Sequence, residues 1–403
     1  YDYVEDYIGV SGEKLGIAHF PDGKFLKPLE LNCAEKFLQE KISNEYDDRI
    51  LTAARVAHIT EGTKPGLGRV TCQNRNLCRR GCPYGAYFSS NSSTIPAAEA
   101  TGNMTLRPHS IAYEIMYDEN TKKATGVKVI DSETKVTYEY FAKVIFVCAS
   151  TAGSTSILMQ SKSNRFPNGM GNDSGELGHN LMDHHFLVGA RGYLDEFSDK
   201  ITYGRRPGGI FVPRFRNIDN KSKMKKFLRG YGYQGGGGRG SKSIESVKEM
   251  ESFGAKFKEM IVEPDKWNIG LSAFGEILPR HSNRMYLNYS KKDKWGLPTI
   301  TFDAKLSENE FEMRKDMKLQ AQEMLERSGV KGVYGYDNIQ DYNFGHGIHE
   351  MGTARMGRDP KTSVLNLNNQ IHDVKNVYVT DGSCMTSGGN QNPSITYMAL
   401  TAR

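Results

Sequence analysis

Three segments near the C-terminal end hold most of the residue types that do chemistry. They are His349-Glu350-Met351-Gly352-Thr353-Ala354-Arg355-Met356-Gly357, then His372 to Ser383, then Gly388-Gly389-Asn390-Gln391-Asn392-Pro393-Ser394-Ile395-Thr396. The first is not a zinc motif, because Thr353 stands where H-E-x-x-H needs its second imidazole. A neutral imidazole takes up a proton near physiological pH. His349 is therefore a candidate base, with His346 as the rival three residues earlier. A second group is Cys72, Cys78 and Cys82, followed by Pro83. Three thiolates at this spacing can hold an iron–sulfur cluster, can hold zinc with a fourth ligand, or can be plain structural thiols or a single disulfide.

One further pattern is rejected. Gly230-Tyr231-Gly232-Tyr233-Gln234-Gly235 fits G-x-G-x-x-G letter for letter. A lysine-rich stretch precedes it and more glycines follow, so it lacks the strand before and the helix after that give the motif its mechanism. The expectation is a flexible surface loop.

The elements that must position these groups are readable in outline. Val144-Ile145-Phe146-Val147-Cys148 is a short apolar strand, followed by the small residues Ala149 to Ser154 and a helical pattern. Strand, small turn, helix lets backbone N–H groups at the helix start approach a ligand. Asn376 to Thr380 is a second such strand, leading through Asp381-Gly382 and a glycine-rich loop to a helix near Asn392-Pro393. Three alternating runs, Met104 to Tyr117, Ala124 to Asp131 and Thr137 to Phe146, predict a β-meander. Cys33 to Ile42 predicts a short amphipathic helix, and Tyr1 to Gly12 the end of another. Ser307 and Glu310 form a capping box for a helix running to Ser328, with Phe311, Met317, Ala321, Met324 and Leu325 on its apolar face.

The order H-x-x-G-T-x-x-M-G, N-V-Y-V-x-D-G-S and N-P-x-x-T resembles the C-terminal region of the glucose–methanol–choline (GMC) family of FAD-dependent oxidoreductases. The match is best to the branch of pyranose oxidases and bacterial sugar dehydrogenases, which has an asparagine, here Asn392, where glucose oxidase has a second histidine. Gly175 to His184 resembles the family's G-x-N-L-x-D-H stretch, Ala149 to Ser161 the stretch beside the FAD adenosine, and Glu276 to Asp303 the passage into its C-terminal domain. His179, His184 and His185 then take a structural or flavin-side role and not that of metal ligands.

The resemblance implies an α/β, mixed α+β fold, with part of a Rossmann-like FAD-binding domain interleaved with an antiparallel-sheet substrate domain. The expected division is an N-terminal remainder over 1–65, FAD-side segments over 66–185 and 346–403, and a substrate segment over 186–345. It implies oxidation of a CH–OH group of a sugar or glycoside. The hydride goes to flavin, the proton to His349, and Asn392 holds the hydroxyl. Cofactor contacts fall on Ile111, Ala149, Thr151, Gly153, Asp381, Gly382, Asn392, Pro393 and Ser394. By the same resemblance Cys72, Cys78 and Cys82 ligate a 3Fe-4S cluster that passes electrons to a small subunit or cytochrome, in a periplasmic enzyme. An oxygen-using oxidase and a non-catalytic carbohydrate-binding fragment are the alternatives. The family's first βαβ unit and the flavin loop after it are missing from the sequence, which begins at Tyr1 and stops at Arg403 inside helix-like patterns, as if cut at both ends.

Composition agrees with a folded domain of this size. Of 403 residues 38% are hydrophobic and 25% charged, enough for sizeable cores. The net charge of +6 is spread along the chain apart from a basic stretch near Arg214 to Lys258, which argues against a nucleic-acid function. No apolar run reaches the roughly 18 residues of a membrane span. Six cysteines, three of them within eleven residues, are not a disulfide framework.

Overall fold

The computed structural model describes residues 1–75, 77–201, 208–240 and 247–403; part of the basic stretch Arg214 to Lys258 lies outside them. Its helices are α1 (Asp2–Ile8), α2 (Cys33–Glu45), α3 (Thr94–Glu99), α4 (Ser150–Gln160), α5 (Gly254–Val262), α6 (Glu308–Arg327) and α7 (Ser394–Ala402). Its strands are β1 (Thr52–Ala53), β2 (Ser110–Asp118), β3 (Lys123–Asp131), β4 (Thr137–Phe141), β5 (Ile145–Val147), β6 (Val188–Leu194), β7 (Ile210–Val212), β8 (Tyr231–Arg239), β9 (Trp267–Gly275), β10 (Arg284–Lys292), β11 (Pro298–Asp303), β12 (Lys331–Asp337), β13 (Gln370–Ile371) and β14 (Val374–Val379).

Two sheets frame the site. In the smaller, ordered β13-β14-β5, strands β14 and β5 run parallel with Val377 opposite Ile145. Each of these strands leads directly into a chemical segment: β5 into the turn before α4, and β14 into Asp381-Gly382. The larger sheet is antiparallel, ordered β1-β7-β8-β9-β6-β12. Helices α2 and α6 supply residues to the core built on one of its faces, where Leu38, Met317, Met324 and Leu325 join Trp267, Ile269, Leu271, Tyr231 and Tyr233. Strand β9 shows the expected period of two, its residues alternating between buried and half-exposed or exposed from Trp267 to Gly275. The meander β2-β3-β4 and the hairpin β10-β11 are separate sheets, and the meander shares a core with the smaller sheet through Ile115 and Ala124.

The helix starts follow from local chemistry. Asn32 and Glu35 close a capping box on α2, and Ser307 and Glu310 close one on α6. Gly9 ends α1 in the left-handed conformation, at no Cβ cost. Phe311 departs from the sequence expectation and is 47% exposed. The buried face of α6 is instead Glu310, Met313, Arg314, Met317, Ala321, Met324 and Leu325, and Phe311, one residue past Glu310 and so about 100° around the helix, falls off it.

The rejected glycine pattern needs a correction. It is not a surface loop. Tyr231 to Arg239 is strand β8, paired to β7 on one side and β9 on the other, and Tyr231 and Tyr233 are buried. The glycines serve packing: a Cβ on Gly235 would sit 2.2 Å from the Gly270 carbonyl oxygen. No helix opens at them, so no phosphate site forms there.

Candidate active site

Asp183 organises the site from below. Its side chain is buried. Oδ1 accepts from the backbone N–H groups of His184 at 2.7 Å and His349 at 3.1 Å. Oδ2 accepts from Gly345 at 2.8 Å and Gly347 at 3.0 Å. One carboxylate thus ties the turn before His349 to the strand-like segment carrying His184. The approach is close enough that a Cβ on Gly347 would lie 2.5 Å from Asp183 Oδ1. Ile348 inside this turn has φ +52°, a left-handed conformation that is strained for a β-branched residue. Arg314 of α6 holds the far side of the segment, donating to the carbonyl of Phe186 at 2.9 Å.

A chain of side-chain hydrogen bonds runs through His349, and its direction is fixed at one end. His184 Nε2 lies 2.9 Å from the carbonyl oxygen of Gly389. A carbonyl only accepts, so Nε2 carries the proton and, in the neutral ring, Nδ1 is the acceptor. His184 Nδ1 lies 3.1 Å from His349 Nδ1, so His349 donates from Nδ1. Its Nε2 is then left as a lone pair, and it accepts from Asn392 Nδ2 at 3.1 Å. Asn392 Oδ1 accepts in turn from Gln234 Nε2 at 2.8 Å. These proton positions follow from the network.

Electrostatics keep both rings neutral. Burial lowers the His349 pKa to about 4; the neighbouring His184 lowers it further and Asp183 opposes the shift. Burial likewise lowers His184 to about 4, opposed by the backbone of Gly389 and Gly388. Charging either ring would desolvate a cation.

His349 also lines a cleft of about 310 Å³ together with Ser150, Thr151, Glu350, Asp381, Gly382 and Ser394. Two helices start at this cleft, α4 at Ser150 and α7 at Ser394. Their free N–H groups suit an anionic or strongly accepting ligand. The floor is tight: a Cβ on Gly382 would lie 2.5 Å from the Glu350 carbonyl and 2.6 Å from Thr151 Oγ1. Asp381 caps the short turn Gly382–Cys384 and takes a hydrogen bond from Ser154. These hydroxyls, helix N–H groups and the narrow floor are groups that would fit part of an FAD.

The sequence candidates divide clearly. Thr151, Asp381, Gly382 and Ser394 line the cleft. Ala149 and Pro393 are the residues immediately before α4 and α7, and Gly153 lies within α4 against Ala149. Asn392 meets His349. Ile111 does not join them; it sits in β2 opposite Ile130 of the meander. His346 is exposed in the preceding turn, where its Nδ1 accepts from the Asn343 N–H at 3.3 Å. Gln234 was missed because its strand was read as a loop, although Tyr231 and Tyr233 alternate with it.

Cys72, Cys78 and Cys82 form no disulfide and line one small pocket together with Pro83 and Tyr84. His58 lines it too, buried and with neither ring nitrogen bonded. Among the described residues, however, no three His, Cys, Asp or Glu side chains are grouped to hold a metal ion.

Two sequence models described as GMC oxidoreductase match this chain, one over residues 69–186 and one over 279–401. Together they cover more than half of it. The 2-methyl-1,2-propanediol dehydrogenase of Mycolicibacterium austroafricanum is 29% identical over 85% of this chain and 60% of its own length. The fructose dehydrogenase large subunit of Gluconobacter japonicus is 26% identical with the same coverage, 85% and 60%. The gluconate 2-dehydrogenase flavoprotein of Pantoea cypripedii is 24% identical over 100% of this chain and 68% of its own. Among solved structures, a variant of Aspergillus oryzae formate oxidase matches with a TM-score of 0.57 at 14% identity, over 94% of this chain and 71% of that one. The likeness to that structure is one of fold. The chain spans about 60% of the length of the first two of these curated relatives.

Proposed function

The chain belongs to the GMC oxidoreductase family, and from that premise we propose that the intact protein is an FAD-dependent dehydrogenase oxidising a CH–OH group of a sugar or glycoside. The observation that carries this is the lone pair of His349 Nε2, aimed at Asn392 beside a cleft that receives two helix N-termini. Bound flavin supplies the hydride acceptor. The chain's residues do the rest. A substrate hydroxyl replaces the 3.1 Å bond between His349 and Asn392, donating its proton to Nε2 and accepting from Asn392 Nδ2. As the carbon-bound hydride departs, the hydroxyl proton passes to Nε2. His349 keeps its Nδ1 proton on His184 throughout, so the ring stays in place. The α4 and α7 N-termini favour negative charge in the cleft.

The test is anaerobic mixing of the intact flavoprotein with polyols and sugars, following the flavin absorbance. Bleaching by a sugar that is lost in His349→Ala, with flavin still bound, supports the reading. Bleaching that survives the substitution refutes His349 as base.

For the electrons' exit we propose an iron–sulfur cluster on Cys72, Cys78 and Cys82 and a partner subunit or cytochrome as acceptor. The shared cavity and the cysteine spacing support it, and one relative is itself named a large subunit. Loading requires the loop to close so that the three sulfurs converge. Iron and sulfide analysis of anaerobically prepared protein decides it; protein with full flavin and no iron removes the cluster.

A further inference from the structure

The larger sheet has a second face that helices α2 and α6 leave uncovered, and it begins at the active site. Gln234 of β8, already bonded to Asn392, stands opposite Ser272 of β9. Ser272 stands opposite Gly189 of β6, and Gly189 opposite Tyr336 of β12. Residues directly opposite in a sheet share a face, so Gln234, Ser272 and Tyr336 form one row across four strands. Three strand spacings of about 4.8 Å make that row roughly 14 Å long, more than a single hexose ring covers.

The row is built and not incidental. Tyr336 crosses the bare backbone of Gly189 to reach Ser272, with their hydroxyl oxygens 2.7 Å apart. Any Cβ on Gly189 would lie 3.0 Å from the Tyr336 hydroxyl and 2.1 Å from the Leu271 carbonyl oxygen. Gly270 next to Ser272 along the face keeps the surface flat. Two residues from Tyr336 on the same face is Tyr334, 58% exposed, with Arg191 opposite it and its guanidinium 6.0 Å from the ring centre. Among the described residues Gln234 Oε1 has no hydrogen-bond partner.

The chemistry of this row is specific in kind. An amide and two hydroxyls both donate and accept, as sugar hydroxyls do. An exposed aromatic face suits the C–H face of a sugar ring. Gln234, Ser272 and Tyr336 themselves carry no charge. A small diol held between His349 and Asn392 would meet Gln234 at most and would not reach the Tyr336 end of the row. We propose that Gln234, Ser272, Tyr336 and Tyr334 form a second sugar subsite, and that the substrate is a glycoside of two or more units. This rests on the reading that the His349–Asn392 pair receives a sugar hydroxyl.

Calorimetric titration of the intact protein with D-glucose, maltose and cellobiose tests it. At least one disaccharide binds about tenfold or more tighter than glucose. Tyr334→Ala and Tyr336→Phe each bring that Kd ratio toward one, while thermal melting shows both variants folded. Disaccharides that bind no tighter than glucose overturn the subsite, as does a ratio that both variants leave intact. Flavin bleaching in the same samples separates the two readings. A disaccharide that binds through Tyr334 yet bleaches nothing overturns the oxidation and leaves the subsite standing.

Discussion

Replacing His184 with alanine should disable His349 without touching the substrate. In the intact network the Gly389 carbonyl fixes the His184 tautomer, and His184 Nδ1 accepts the proton of His349 Nδ1. Without that acceptor, the buried Nδ1–H of His349 loses its partner. An unsatisfied buried donor costs about 1–3 kcal/mol. The cost falls on the base-competent tautomer alone, and the other tautomer, with its proton on Nε2, cannot take up a proton there. Converted to rate, the loss is roughly 5- to 150-fold in flavin reduction at saturating substrate, with little change in KM. His184→Gln should restore much of it, since a glutamine can accept from His349 and donate to Gly389. Anaerobic stopped-flow reduction of the flavin gives the rates, and nitrogen-15 NMR of labelled histidine reads the tautomer independently. Two results would refute the reasoning: wild-type rates in His184→Ala, or an equal loss in the alanine and glutamine variants when both melt like the wild type.

His349→Ala should cut turnover roughly 10²–10⁴-fold, the size of a lost general base, with flavin content unchanged; an inactive His346→Ala beside an active His349→Ala would reverse the assignment. Stability should fall in acid from the buried neutral histidines. Burial depresses His58, His184 and His349 to about 4 and His185 to about 3, from 6.5. Because their folded pKa values lie below the unfolded one, the unfolded chain binds more protons between those limits. Their contribution is therefore full above about pH 6.5 and is lost as pH falls through about 4, which urea midpoints across that range will show. The same shift keeps His349 in its base form down to about pH 4, so flavin reduction should show no His349 titration near pH 6.5. Asp183→Asn should destabilise the protein by about 2–4 kcal/mol, because its carboxylate accepts four backbone N–H groups and an amide nitrogen would face two of those donors. Chemical denaturation measures that loss, and a variant within 0.5 kcal/mol of wild type, roughly the scatter of a neutral surface substitution, would show that Asp183 does not brace the turn.

The elements that depend on neighbours in the chain were legible from residue order. The capping box of α6, the small-residue turn between β5 and α4, and the three-strand meander all follow from side-chain types a few positions apart. His349 and Asn392 were legible too, but only as members of a resembling pattern; nothing in a lone histidine beside glycine marks it as a base. Strand β8 was illegible because its run of glycines contradicts strand propensity. The sheet uses them for close backbone approach, a requirement set by Gly270 and α2, far away in sequence.

The sequence by itself determined which local turns and caps form and which residue types were available for proton transfer and ligand binding. Only the tertiary structure decided their partners. His184 lies 165 positions from His349 and Gln234 158 from Asn392, yet the first sets the tautomer of the base and the second orients the amide. A row across four strands, from Gln234 to Tyr336, exists only once the register is set. The physical reason is that hydrogen-bond direction and sheet register belong to groups brought together by burial of the core, while composition and spacing report only on each group's nearest neighbours along the chain.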